Sequence, residues 1–149
     1  MMPTSASSAS RSGQIARAFV ALYALLQTHR LIAFVLAQDV LTNRAAAAWL
    51  FPAFVDIFVG VTAPIVAYAL WRRRGLAVWV TAIVWFAISI SDHLDALTTG
   101  FTSTLPSLFP KELAAVVGFQ LFAVVVDALA IACLAREGTR SLYLGMQDR

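Results

Sequence analysis

The sequence predicts an all-α integral membrane protein, a four-helix bundle that runs up-down-up-down with its N- and C-termini on the cytoplasmic side. Of its 149 residues 60% are hydrophobic and only 13% are charged, whereas soluble domains average about 45–50% apolar and about 25% charged residues. The mean hydropathy is +0.79. Four apolar segments also reach the roughly 20 residues that a helix needs to cross the hydrocarbon core. So apolar a surface requires lipid as its solvent.

The elements follow the chain in order. Residues 1–14 are rich in serine and alanine without periodicity, which predicts a disordered tail. A membrane domain is predicted over 15–135, and 136–149 is predicted to be a cytoplasmic tail. Its four spans are placed at residues 15–37, 46–71, 76–97 and 113–134. No small-residue cleavage site follows the first apolar run, so that run is interpreted as an uncleaved helix rather than a signal peptide.

Basic residues orient the predicted spans. Arg72, Arg73 and Arg74 form the densest cluster, and cytoplasmic links carry the excess of arginine and lysine. The same side receives the basic residues that flank the first and fourth spans, namely Arg11, Arg17, Arg136, Arg140 and Arg149, and only Arg44 and Lys111 fall outside. This favours a multi-pass protein of the cell (inner) membrane. Because the arginines lie at helix ends and not on one face, the pI of 9.6 does not indicate nucleic-acid binding.

Every predicted span carries polar side chains at membrane depth. A charged group at the bilayer centre costs roughly 2.5–3.5 kcal/mol, so such groups normally face the bundle interior. Counting about 1.5 Å per residue from the helix ends places one polar layer in the outer half of the membrane. Its predicted members are His29, Arg30, Asp56, Asp92, His93 and Gln120, with Asp127 deeper towards the cytoplasm.

Helical spacing predicts which residues share an inward face. Asp56 lies on a face of small residues, the kind of face at which membrane helices pack closely; its neighbours there are Ala53, Gly60, Ala63 and Ala67. On the other spans the predicted faces are Tyr23, Gln27, Arg30 and Phe34 in the first, Trp85, Ser89 and Asp92 in the third, and Val116, Gln120, Ala123, Asp127 and Ala130 in the fourth.

A purely structural interpretation explains much of this set. Arg30 and Asp56 are predicted at similar depth and would form an ion pair between the first two spans. Gln120 would be an interhelical hydrogen-bonding group, whereas Asp39, Asp92 and Asp95 would be hydrated near the outer surface. Asp127 has no cationic residue at its own depth, and a buried carboxyl without a partner is protonated. It fits the structural interpretation least well.

The functional interpretation is a polar pocket that binds or passes a small ligand, ion or proton. Asp56 and Asp92 would bind a cation or the polar head of a lipid-like ligand, and Asp127 would extend the path inwards. The expected partners are the bilayer, a small apolar or cationic ligand, and a second copy of the chain. The alternative is an accessory subunit or assembly factor of a larger membrane complex.

A b-type haem is a further alternative. The chain has two histidines, His29 and His93, and imidazoles from two helices of a bundle are able to hold a haem iron. Arg30 would then meet a propionate. No cofactor is predicted otherwise, and no metal site is, since Cys133 is the single cysteine and no ligands have the close spacing of a zinc site.

An enzyme is the last alternative. Asp39 near the end of the first span, Asp56 within the second and the run Pro64–Ala69 resemble the four-helix EXPERA group of sterol isomerases and sterol-binding proteins. The resemblance covers about half of the chain and implies proton transfer on an apolar lipid substrate. The third span has no matching motif, so no catalytic residue is assigned.

Overall fold

A computed structural model of the chain describes residues 5–107, 109 and 112–145, and every regular element in these ranges is helical. Four stretches of the described residues are long and apolar enough to cross a membrane: Arg11–Leu41, Ala47–Arg72, Leu76–Thr102 and Leu113–Ala135. The prediction of an all-helical chain with four membrane-length segments is therefore confirmed. The elements are α1 (Ser5–Leu26), a 3₁₀ segment (Gln27–Ile32), α2 (Ala33–Leu41), a 3₁₀ turn (Ala47–Trp49), α3 (Leu50–Arg72), α4 (Leu76–Thr102), α5 (Leu113–Ala135) and α6 (Glu137–Leu144).

The first span is longer than the sequence predicts. Helical structure is continuous from Ser5 to Leu41, first as α1, then as the 3₁₀ segment, then as α2. Residues 5–14, which belong to the predicted tail, are part of α1, and residues 1–4 lie outside the described residues. One reason is a close contact at Gly13, where an added Cβ would lie 2.5 Å from the carbonyl oxygen of Gly138 in α6.

The helix α6 is an element that the sequence analysis did not predict, within the residues 136–149 expected to form a tail. Its Tyr143 hydroxyl donates to the Leu70 carbonyl at 2.9 Å. Arg17 of α1 donates from Nε to the same carbonyl at 2.8 Å and from Nη2 to the Trp71 carbonyl. The last carbonyls of a helix have no partner within it, so Arg17 and Tyr143 together cap the end of α3. Lys111 and Arg149, which the charge-based orientation also used, lie outside the described residues.

The outer surface of the bundle is apolar. Large hydrophobic side chains such as Phe51, Ile65 and Phe122 are exposed, and between 28% and 39% of the most apolar window of each span is buried. In water an exposed apolar surface of this extent would drive association. It is the surface expected of helices that face lipid.

The interior consists of two apolar clusters. One contains Leu70, Phe86 and Leu134, and the other contains Leu36, Trp49 and Ala53. On α3 and α4 the polar residues fall between the members of these two clusters in the sequence. Asp56 follows Ala53 and precedes Val59, and Ser89, Asp92 and His93 lie between Phe86 and Ala96. A polar layer therefore separates the two apolar parts of the core.

Candidate functional site

The guanidinium of Arg30 is the centre of the polar layer. Arg30 is 3% exposed and contacts side chains of the first, second and third spans. Its Nε donates to Gln27 Oε1 at 2.9 Å, and its Nη1 donates to both Asp56 Oδ1 and Asp92 Oδ2 at 2.8 Å. Its Nη2 donates to Ser89 Oγ at 2.6 Å and to His93 Nε2. A guanidinium has five N–H groups, so each donor of Arg30 has an acceptor.

Local structure of the first span directs Arg30 inwards. The carbonyls of Leu25 and Leu26 accept side-chain hydrogen bonds from Thr28 Oγ1 at 2.7 Å and from His29 Nδ1 at 2.8 Å, which compete with the α-helical pattern. Residues i and i+3 are eclipsed in a 3₁₀ helix. Gln27 and Arg30 therefore share one face, where their side chains are hydrogen-bonded.

A glycine of α3 accommodates the 3₁₀ segment. A Cβ at Gly60 would lie 3.0 Å from the backbone nitrogen of Leu31. The small face that the sequence predicts on this helix is confirmed, since Ala53, Gly60, Ala63 and Ala67 are all buried. Small side chains on α3 thus allow the first span to approach closely enough for Arg30 to contact Asp56.

The predicted inward position of Phe34 is wrong. Phe34 is 55% exposed, and the inner face after the 3₁₀ segment is instead formed by Leu36, Ala37 and Val40. A 3₁₀ helix has 3.0 residues per turn against 3.6 in an α-helix. The inward face predicted from α-helical spacing therefore shifts after residue 27.

Asp127 of α5 is joined to Arg30 through neutral side chains. It is fully buried, and its Oδ1 accepts from Tyr23 Oη at 2.9 Å and from Gln27 Nε2 at 3.0 Å. Its Oδ2 accepts from Ser89 Oγ at 2.6 Å. Gln27 and Ser89 each accept from Arg30 and donate to Asp127, so the carboxylate has the partners that the sequence analysis did not find.

Tyr23, Gln27 and Ser89 are members of the network that the sequence analysis did not assign to the site. The signal was present in the spacing, because Tyr23 and Gln27 share the predicted face of Arg30, and Ser89 shares that of Asp92. On the fourth span the predicted face is confirmed in full, since Val116, Gln120, Ala123, Asp127 and Ala130 are all buried.

His93 is held as a neutral imidazole. Its Nε2 accepts from Arg30, so its Nδ1 carries the proton and donates to Gln120 Oε1 at 2.5 Å. The Oδ2 of Asp127 lies 3.7 Å from Nε2. Both ring nitrogens are thus engaged, and His29 is exposed with its Nδ1 at the Leu26 carbonyl. This arrangement gives no support to a haem held between the two histidines.

A cavity of about 130 Å³ opens beside the network. Six of the seven predicted site residues line it, and the seventh, Asp127, lies behind Ser89. The polar lining residues are His29, Arg30, Asp56, Asp92, His93 and Gln120. Asp92 is 3% exposed, and its Oδ1 accepts no hydrogen bond from the residues that the structure describes. An unpaired buried oxygen is uncommon in native proteins and calls for an explanation.

Two other acidic residues lie apart from the cavity. Asp39 is paired with Arg44 at 2.8 Å, and the guanidinium side of that pair is 61% exposed. Asp95 is half-buried and is not among the lining residues. The predicted contact between Arg30 and Asp56 is present, but Asp92 shares the same Nη1, so it is not an isolated pair.

The fold and the site define a class: helical proteins with four membrane-length segments and a buried ionic network beside a cavity. Comparison of the chain with protein-family models, with curated proteins and with solved structures finds no match. The resemblance to the EXPERA group therefore rests on the quoted residues alone. Among the described residues no group of three or more His, Cys, Asp or Glu side chains is arranged to hold a metal ion.

Proposed function

We propose that the protein binds or passes a small ligand, ion or proton at the cavity beside Arg30. In this proposal the four spans alternate in direction across the cell membrane, both termini are cytoplasmic, and the cavity opens in the outer half. The cap on α3 supports the orientation, because Arg17 contacts the carbonyls next to Arg72–Arg74. The basic ends of these helices therefore lie together, as cytoplasmic ends do.

The observation that carries the proposal is the excess of carboxyl groups around one guanidinium beside an open cavity. Burying a charge costs several kcal/mol, and apolar side chains often stabilise a core as well as an ion pair does. A structural pair would need one carboxylate for Arg30. Here Asp56 and Asp92 share one nitrogen of Arg30, and Asp127 is linked through Gln27 and Ser89.

The contacts also support a route for protons over part of the membrane. Groups with exchangeable protons run from Ser89 to Asp127 and Tyr23, and His93, which lines the cavity, has its Nε2 3.7 Å from Asp127 Oδ2. Arg30 joins Asp92 to Ser89 but keeps its own protons. Beyond this point the Tyr23 ring stacks on Phe86, with ring centroids 5.8 Å apart, inside an apolar cluster. Binding from the outer side needs no rearrangement, whereas passage across needs this cluster to open.

The proposal is tested with purified full-length protein in two measurements. Native mass spectrometry detects a small molecule retained from the membrane, and proteoliposomes that contain a pH-sensitive dye report proton flux under an imposed potential. We expect retention or flux for the native chain and at least a tenfold lower value for Asp92→Asn. The matched control is Asp95→Asn, which changes the same residue type on the same helix outside the cavity.

Two results would contradict the proposed function. A chain that retains no small molecule and passes no protons, and that purifies only together with larger membrane proteins, would overturn the proposal in favour of an accessory subunit. Equal values for Asp92→Asn and Asp95→Asn would show that the cavity is not the site.

A further inference from the structure

The charges of the described site do not balance. Arg30 contributes one positive charge, and Asp56, Asp92 and Asp127 are three carboxyl groups connected to it by the contacts above. His93 adds no charge, since its Nε2 accepts from Arg30. Uncompensated charge inside a low-dielectric core is expensive. Three ionised carboxyl groups beside one guanidinium leave two negative charges, so protons or other cations that supply two positive charges are required at this site.

One of the missing positive charges belongs at Asp56 and Asp92. Asp127 already accepts three hydrogen bonds, all from groups behind the cavity. Asp56 and Asp92 each accept one from the same Arg30 nitrogen at 2.8 Å, so the two accepting oxygens lie within twice that distance of each other. Asp92 Oδ1 is left without a hydrogen bond in the described structure, and both carboxyls line the cavity.

The donors of Arg30 and His93 are already engaged. Each N–H of Arg30 is directed to Gln27, Asp56, Asp92, Ser89 or His93. The Nδ1–H of His93 is directed to Gln120. An occupant that binds to the carboxyl groups of Asp56 and Asp92 must therefore bring its own positive charge and its own hydrogen-bond donors.

The remaining part of the cavity lining includes apolar side chains that suit a hydrocarbon group. Ile32, Leu36, Phe109 and Phe119 line the same cavity, and aromatic faces attract cations as well as apolar groups. The volume of about 130 Å³ is close to that of an engineered cavity of roughly 150 Å³ that binds benzene. A bare metal ion would leave this apolar wall unused, and the described residues offer no metal-binding group.

We infer that the occupant of the cavity is a compact organic ammonium ion whose nitrogen is held by Asp56 and Asp92 and whose carbon chain lies against the phenylalanine rings. This inference rests on the proposed function, because it names the class of ligand for the same cavity. The ammonium supplies the N–H donor that Asp92 Oδ1 lacks. In the absence of the amine, a proton supplies the positive charge at the carboxyl pair.

The test is calorimetric titration of the full-length protein in detergent with four probes. They are n-butylammonium chloride, the neutral isostere butan-1-ol, sodium butyrate as an anion, and potassium chloride as a metal-ion arm. We expect saturable binding of butylammonium only. Asp92→Asn should weaken it at least tenfold, whereas Asp95→Asn should leave it unchanged.

A second variant pair keeps the test valid if Asp92→Asn does not fold. Phe119→Ala removes a ring from the cavity wall and should weaken butylammonium binding several-fold. Phe122→Ala removes an exposed ring on the same helix, outside the lining, and should not. Saturable binding of potassium, butanol or butyrate with no response to butylammonium would overturn the inference that the ligand is an organic cation. The proposal that the cavity is a ligand site would stand. Absence of binding by all four probes, together with absence of proton flux, would overturn the proposed function itself.

Discussion

At the scale of single residues, the site depends on one arginine whose donors are all used. Arg30 joins side chains of the first span to Asp56 of α3 and to Ser89, Asp92 and His93 of α4. Removal of one partner of a buried ion pair is more costly than replacement of the whole pair, because the remaining charge has no compensation. Arg30 is therefore the residue whose loss the bundle should tolerate least.

The variant Arg30→Met should lower the free energy of unfolding by roughly 3–5 kcal/mol, the range seen when a buried pair is broken. The measurement is reversible or thermal unfolding in detergent, followed by tryptophan fluorescence. Arg44→Met is the matched control, because the Arg44 side chain is 61% exposed in its pair with Asp39 and surface pairs contribute about 0–1 kcal/mol. A similar effect of both variants would contradict a central role for Arg30.

Much of the candidate site was predictable from the sequence, because the cost of polar groups in lipid limits where they point. That cost, together with the depth counted along each helix, predicted one layer that contains His29, Arg30, Asp56, Asp92 and His93, and these residues line one cavity. It did not predict that Tyr23, Gln27 and Ser89 complete the network. Which of several polar residues on a face form hydrogen bonds depends on rotamers and on distances between helices, and helical spacing specifies neither.

At the scale of elements, the 3₁₀ segment Gln27–Ile32 is the feature that helical spacing could not predict. Over six residues an inward face with a period of 3.0 is hard to distinguish from one with a period of 3.6. Its consequence was an incorrect position for Phe34. In the structure the segment is accompanied by side-chain hydrogen bonds of Thr28 and His29 and by the close approach of Gly60.

The variant Gly60→Ala tests this packing. A Cβ there would lie 3.0 Å from the Leu31 backbone nitrogen, and forced overpacking costs about 1–3 kcal/mol. Alanine's preference for a helix, about 0.5–1 kcal/mol, offsets part of this cost, so we expect a net loss of up to about 2 kcal/mol in a thermal-unfolding assay. Gly118→Ala in α5 is the control, since an added Cβ there meets nothing within 4 Å and alanine favours a helix over glycine by about 0.5–1 kcal/mol. Equal stability of the two variants would contradict the close approach.

The helix α6 makes a pH-dependent contribution to the free energy of unfolding through Tyr143. Burial raises the pKa of this phenol above its ordinary value, so the folded state binds the proton more tightly than the unfolded state does. The contribution is present below about pH 10, the pKa of an unperturbed tyrosine, and declines as the pH rises towards the folded-state value. Between pH 8 and 11 the free energy of unfolding of Tyr143→Phe should therefore decline less than that of the native chain. Parallel curves would show that Tyr143 does not titrate on unfolding.

At the scale of the whole molecule, the bundle has an apolar exterior and a polar layer inside it. Composition and segment length were enough to predict four membrane-length helices, because only helices satisfy their backbone groups within lipid without a partner segment. The helical extension before residue 15 and the helix α6 were not predictable in this way. Both are stabilised by contact with each other, at Gly13 and Gly138, and such pairing between distant segments leaves no periodic signal in either.

The orientation of the chain is tested by cysteine labelling in a Cys133→Ser background, which has no other cysteine. Ser107 and Glu137 are both exposed. An impermeant maleimide should label Ser107→Cys in intact cells, whereas it should label Glu137→Cys only after the membrane is opened. The reverse pattern would place the cavity on the cytoplasmic side.

The 3₁₀ segment Gln27–Ile32 is wound more tightly than the α-helices on either side of it, so a change in its winding would rotate one of these helices against the other. If the segment adopted the α-helical pitch, the first span would shorten by about 3 Å and its two halves would rotate against each other by about 120°. Such a movement would withdraw Arg30 from the carboxyl groups and turn Gly13 away from Gly138.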